Sequence, residues 1–389
     1  MARKKPSPIP QFTARRSKIA DPPIRSIRLN APHRNGSGVH SPRAPRPLPL
    51  FLGIDGGGTR TTAWLADERG KVLAKAVTGP SNPLKVGVEA CECEILAAAN
   101  HVVAAGLSRQ RAVAPGPSPA PNEVKSPLQA VVVGLAGVDR PQMHGPIFAW
   151  LKRAIPALHH VLTSDAAIGL YAAIDNQPAI MVISGTGSIA FAQDPENQRV
   201  LRSGGWGIPF DDAGSGYEIA RQGVEAALRG LDGRGPHTML GQMICRELKL
   251  RDITEIIPKQ LSSKEIAALF PLVATAARKG DLSSRLILRI AANDLALLAS
   301  ALIRRLGWSR REFPLVCSGG VLTGNKSLRD QFSDRVRKSA PRACILLLRK
   351  PPVEGALAMA REMSQRDAKQ GSATRGISNL KHQISNPKE

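Results

Sequence analysis

The chain has 389 residues, enough for two domains with cores of their own, and its 42% apolar content is ordinary for a soluble globular protein. No uninterrupted apolar run reaches the roughly 18–20 residues that span a bilayer, and the polar, Pro- and Arg-rich first fifty residues hold no secretory core, so neither a membrane span nor a signal peptide is expected. A net charge of +23 invites a nucleic-acid partner, but eleven Lys/Arg against Asp21 alone stand in residues 1–50, which lack apolar periodicity and interleaved aromatics.

That segment, residues 1–48, reads as a disordered basic tail or as a start site placed too far upstream, with nonspecific attraction to polyanions as its only expected nucleic-acid activity. Five cysteines, Cys91, Cys93, Cys245, Cys317 and Cys344, are scattered, and no His cluster completes a metal site. Reduced thiols in a cytoplasmic enzyme are expected. A homodimer is compatible with the sequence, which does not fix the oligomeric state.

The folded region is expected from about Leu48 to Met363. It opens on a β-meander, FLGIDGGGTRTTAWLADERGKVLAKAV, over residues 51–77. A helical apolar pattern follows over 86–107 (Val88, Cys91, Ile95, Leu96, Ala99, Val102, Val103), then the Pro-rich insertion PGPSPAPNEVKSP. LQAVVVGLAG reads as a buried strand, residues 146–155 as a short helix, and HHVLTSDAAIGLYAAI as a strand feeding a helix that starts near Asp165. A second meander, AIMVISGTGSIAFAQDPENQRVLRSGG, occupies residues 179–205. The Gly-rich stretch GGWGIPFDDAGSGYEIARQGVEAAL then leads into a helix, and residues 237–306 are mainly helical with a long apolar helix over 283–305. PLVCSGGVL is a strand ending in a glycine turn, 326–338 a helix, ACILLL a last strand and 353–363 a last helix; residues 364–389 are a polar tail. The succession runs through twice, which predicts a duplicated α/β design with a cleft between two lobes, residues 49–178 and 179–363.

The first turn of each meander, Gly57-Gly58-Thr59 and Gly185-Thr186-Gly187-Ser188, is short and glycine-rich. Such a turn exposes successive backbone N–H groups in a concavity that suits phosphate. Two facing copies would clamp a polyphosphate from both sides. GxxxxGK[ST] is absent and neither turn opens a helix directly, so a P-loop and a Rossmann site fit poorly. Asp55, directly before the first glycine turn, is placed either to support a tight turn or to hold Mg²⁺ through water; the second turn favours the phosphate–metal reading.

The segments 55–62, 134–139, 163–167, 184–188, 204–216 and 318–320 occur in the order found in the N-acetylglucosamine kinase-like branch of the actin/hexokinase/Hsp70 superfamily, which includes the BadF/BadG/BcrA/BcrD-type ATPases. The chain resembles that branch over about residues 50–362. The resemblance implies a duplicated ribonuclease H-like, actin/hexokinase-type fold with a central ATP cleft, and ATP with Mg²⁺ as cofactors. It implies an amino-sugar acceptor and Asp139 as the catalytic base that also touches the sugar, the other reading of Asp139 being a helix N-cap. Asn82 matches the family's sugar-contacting asparagine, or serves the turn before Pro83. Gly205, Trp206, Gly207 and Asp212 match its sugar loop, Trp206 being equally readable as a core residue. Asp165 falls near phosphates and metal by resemblance, or caps a helix; Gly319 and Gly320 resemble the loop that lies against adenosine. The family's Gly-Asp-Glu-Gly is Asp211-Asp212-Ala213-Gly214 here, and Ile189 replaces a polar Asn, which leaves the sugar's identity open. Phosphorylation of N-acetylglucosamine or glucosamine is the leading expectation. An ATPase activator of radical dehydratases, with a cysteine-held cluster, and a nucleotide-dependent regulator are the alternatives.

Overall fold

The computed structural model describes residues 49–113, 128–208 and 210–365. The expected tail over 1–48, the insertion over 115–127 and the chain beyond residue 365 lie outside the described residues.

Strand β1 (Leu50–Gly56) pairs antiparallel with β2 (Thr61–Asp67), and β2 with β3 (Val72–Thr78). On its other edge β1 runs parallel to β4 (Leu128–Leu135), and β4 parallel to β5 (His159–Thr163), giving the order β3-β2-β1-β4-β5. The second half repeats the plan. The meander β6 (Ala179–Ser184), β7 (Ser188–Asp194) and β8 (Arg199–Gly204) joins β9 (Phe313–Ser318) and β10 (Ala343–Leu347) in the order β8-β7-β6-β9-β10. The two orders coincide, so the duplication read from the meanders is a duplication of whole sheets.

The helices are α1 (Pro83–Val86), α2 (Val88–Val113), α3 (Pro141–Ala154) and α4 (Asp165–Ile174) in the first half. In the second they are α5 (Gly216–Leu231), α6 (Leu240–Leu248), α7 (Ser263–Ala267), α8 (Phe270–Arg278), α9 (Leu282–Leu306), α10 (Gly320–Gly324), α11 (Lys326–Ser339) and α12 (residues 352–365). Helix α3 starts five residues before the expected Pro146. Pro141 takes the entry to the helix, where a missing N–H leaves no bond unmade, and Pro146 is carried inside.

Strand β4 is buried at every position but Gln129, as a central parallel strand covered on both faces should be. Ile95, Ala99 and Val102 of α2 pack on one face of the first sheet with Leu52, Ile54 and Val133. Its other face, carrying Phe51, Ala130 and Val132, is covered by Ile168 of α4 and by Ala356, Leu357 and Ala360 of α12. The expectation that residues up to 363 belong wholly to the second lobe therefore needs correction, because α12 packs on the first sheet. Conversely Ala166, Ala167 and Leu170 of α4 pack on Met181, Phe191 and Val316 of the second sheet. The two helices meet at Gly355, where any side chain would strike the Ile168 carbonyl. Helices α2 and α9 are apolar and long enough to cross a bilayer by composition alone, yet both lay one face into the core.

Candidate active site

Three adjacent parallel strands, β1, β4 and β5, end side by side, with Asp55 opposite Gly134 and Gly134 opposite Thr163. The carboxyl ends of such strands are where open α/β sheets place ligands. Asp55, Asp139 and Asp165 all follow from these ends, which is how residues 110 positions apart come together. Beyond Asp55 the chain turns at Gly57, whose N–H donates to the Arg60 carbonyl at 3.0 Å. The turn is moored from behind: Ser81 N–H donates to the Gly57 carbonyl at 3.0 Å and Ala136 N–H to the Gly56 carbonyl at 2.9 Å. Buried Thr61 adds hydroxyl bonds to the Gly79 carbonyl and to Ser81 Oγ. Gly58, Thr59 and Arg60 stay exposed at the tip.

Burial pushes the Asp55 carboxyl up to about 7; the charge of Asp165 pushes the same way and Arg60 opposes it. Asp165 rises to about 6, through burial and then the nearby Asp139, against the bond it accepts from its neighbour's N–H. That bond runs from Ala166 N–H to Asp165 Oδ1 at 2.9 Å. Ser164 caps α4 instead, accepting from Ala167 N–H, so the capping alternative for Asp165 is not what the fold uses. Likewise Arg140, not Asp139, occupies the N-cap of α3. Burial thus raises the Asp55 and Asp165 carboxyls above the usual range of an aspartate, and the charge of Asp165 adds to the shift of Asp55. Among the described residues no three His, Cys, Asp or Glu side chains could together hold a metal ion.

The second turn is built from its own loop. Gly185 N–H donates to the Gly187 carbonyl at 2.9 Å, and Gly216 N–H, at the start of α5, donates to the Gly185 carbonyl at 2.7 Å. Ser188 is buried; its hydroxyl donates to the Ala213 carbonyl at 2.7 Å and its N–H to Asp212 Oδ1 at 3.2 Å. Both donors of Ser188 thus tie the turn to the following loop. Gly319, with φ +83° and ψ 151°, lies so close to the Ser184 carbonyl that no Cβ fits. Gly185, Thr186, Gly216 and Gly320 open into a cavity of about 1530 Å³ whose far wall carries Lys264, Arg278, Arg285 and Arg289. Sequence reading found the glycines and missed this basic wall, because cations on solvent-facing helix positions look alike until helices are packed.

On the acceptor side Asn82 caps α1, accepting from Leu84 N–H at 3.0 Å, so its turn role is real; it also stands beside Gly137, two residues before Asp139. Trp206 is 62% exposed, which removes the core reading. Its N–H donates to Asp211 Oδ2 at 3.2 Å. Asp212 is buried at φ +73°, with its carboxyl raised by burial and by Asp211, while the Ser188 N–H and Lys85 hold it down. Lys85 stands beside Gly58 of the first glycine turn, and its charge also acts on Asp212. Asp139 meets Arg202 of β8 at 3.3 Å, a partner that the sequence reading did not single out. The five cysteines are free, and burial pushes Cys317, inside β9, up to about 12. A thiolate-held cluster at this site has no support.

The chain is similar to two relatives in sequence and to one solved structure in fold. The chain is 32% identical over 318 residues to the N-acetylmuramic acid/N-acetylglucosamine kinase of Clostridium acetobutylicum, covering 81% of this chain and 99% of the relative. It is 31% identical over 319 residues to the N-acetyl-D-glucosamine kinase of Dictyostelium discoideum, covering 80% and 97%. A crystal structure from Chromobacterium violaceum, of a protein provisionally described as an N-acetylglucosamine kinase, matches with a TM-score of 0.63 and 27% identity over 80% of this chain and 99% of that one. The sequence profile of the BadF/BadG/BcrA/BcrD ATPase family matches residues 52–359, and with the doubled sheets and paired glycine turns in place the chain belongs to that family.

Proposed function

We propose that this protein is a cytoplasmic, ATP- and Mg²⁺-dependent kinase that phosphorylates a hydroxyl of an amino sugar, N-acetylglucosamine or glucosamine. The observation that carries the reading is the row of Asp55, Asp165 and Asp139 at neighbouring strand ends, beside the first glycine turn. The kinase relatives act on such sugars, and the family is one of ATPases.

In this reading the nucleotide lies in the cavity beyond Gly185, Thr186 and Gly320, with Gly319 fixing the turn against which it rests. The N–H groups of Gly58, Thr59, Thr186 and Gly187 face its phosphates, on a turn that the Gly57 N–H closes. Asp55 and Asp165 would hold Mg²⁺ through water, and an ion bound there would offset negative charge as the phosphoryl group moves. Asn82, Gly205, Trp206, Gly207 and Asp212 shape the sugar site. Asp139 orients the acceptor hydroxyl and takes its proton as the new O–P bond forms and the bond to the departing ADP breaks. Because that transition state is loose, alignment matters more than the strength of the base.

The test is ADP release with ATP and Mg²⁺ over a panel of N-acetylglucosamine, glucosamine, N-acetylmuramic acid, N-acetylmannosamine and glucose, with the product identified by ³¹P NMR. Sugar-dependent ADP release and a sugar phosphate are expected for the amino sugars. ATP turnover indifferent to every sugar would overturn the proposal.

A further inference from the structure

Arg202 lies on β8 opposite Phe191 of β7, and its guanidinium gathers groups from both halves of the cleft. Nη1 donates to Asp139 Oδ2 at 3.3 Å, while Nη2 donates to the carbonyls of Gly204 and Gly205, both at 3.1 Å. The guanidinium stands over the Trp206 ring, 4.5 Å from its centroid. Both carbonyls reach one nitrogen because Gly204 and Gly205 each adopt φ +71°, a conformation that turns successive peptides the same way and that glycine takes freely. Arg305 of α9 donates to the Arg202 main-chain carbonyl at 2.8 Å, which steadies the strand beneath. Nε is buried with no partner among the described residues. The side chain has therefore forgone one bond in order to make the others.

The side chains of Arg202 and Asp139 are 25% and 27% exposed, so at 3.3 Å their ion pair contributes little to stability. Its consequence is geometric. One planar fork grips the Gly-Gly-Trp loop of the second half and a single carboxylate oxygen of the first, so that among the described residues Arg202 engages Oδ2 of Asp139 and not Oδ1.

We infer that Arg202 is a positioning residue for Asp139: it bridges the carboxylate to the Gly204–Trp206 loop and so aims the base at a hydroxyl resting on that loop. The inference rests on the kinase reading above. Lysine cannot replace it, since a point-like ammonium cannot serve the carboxylate and two carbonyls in one plane. A displacement of the base by about 1 Å is enough to cost about 100-fold in rate.

The experiment compares Arg202→Gln, Arg202→Lys, Asp139→Asn and the double variant Arg202→Gln/Asp139→Asn, by steady-state and single-turnover kinetics on the preferred sugar, with melting curves to verify folding. Arg202→Gln is expected to lower kcat about 10- to 100-fold while the sugar KM stays within about threefold, and Arg202→Lys to behave in the same sense. In the Asp139→Asn background the Arg202→Gln change is expected to add nothing, because a residue acting through another loses its effect once that other is gone. Wild-type kcat in Arg202→Gln, a loss carried by KM alone, or multiplying single effects would each overturn the inference. If Arg202→Gln does not fold, Arg202→Lys carries the same comparison. Failure of the wild-type protein to phosphorylate any amino sugar sinks the kinase reading instead, so the two failures are distinct.

Discussion

Gly319, directly after β9, rests on the carbonyl of Ser184, at the end of β6, and this contact joins the two loops that open into the cavity lined by Gly185 and Gly320. At φ +83° and ψ 151° the position is open almost solely to glycine, and forcing another residue there costs on the order of 1–3 kcal/mol before any clash is counted. Gly319→Ala is expected to lower stability by at least that much and to weaken ATP binding about tenfold or more. Urea unfolding and calorimetric titration with ATP check both; unchanged ATP affinity in a folded variant would remove Gly319 from the nucleotide site.

The raised carboxyls of Asp55 and Asp165 make the ligand-free protein sensitive to pH. Burial leads in both cases, and their folded values of about 7 and about 6 lie above the 3.8 of a free aspartate. The native state therefore keeps protons that the unfolded chain has already released, and stability falls as pH rises from about 4 through 7, by a few kcal/mol in order of magnitude. Calorimetric melts are expected to show higher Tm at pH 5.5 than at pH 8, with the difference reduced in Asp55→Asn. An equal pH response in wild type and Asp55→Asn would contradict this account.

Asp139→Asn keeps the size of the side chain and removes the base. It is expected to lower kcat by about 10²- to 10⁴-fold while ATP binds as in the wild type. Retention of full sugar phosphorylation would mean that another group accepts the proton.

Ser188 and Asn82 separate structural from ligand roles. Removal of the Ser188 hydroxyl leaves the Ala213 carbonyl without its donor, so Ser188→Ala is expected to lose about 1–3 kcal/mol of stability with the KM for ATP little changed. A large rise in that KM at unchanged stability would assign Ser188 to the phosphate site. Asn82→Asp keeps the oxygen that caps α1 but loses the amide donor, so stability is expected to hold while the sugar KM rises. Wild-type sugar kinetics in Asn82→Asp would leave Asn82 as a cap alone.

Much of the fold was legible because it follows from short-range patterns. The two glycine turns repeat in sequence and apolar runs of strand length flank them, so strands and most helix positions are set by neighbours along the chain. Asp55, Asp139 and Asp165 were readable for the same reason, each standing just after an apolar strand, where a parallel sheet places its ligand edge.

What the amino-acid sequence determined by itself is the pair of sheets, their duplication and the backbone turns, since glycine φ freedom and apolar periodicity are local properties. Only the tertiary structure decided that α12 covers the first sheet, that Ser188 spends its donors inside the protein, and that Arg202 meets Asp139. Each of these joins residues well separated along the chain that only folding brings into contact, and an arginine or serine leaves no trace of its eventual partner in the order of the chain.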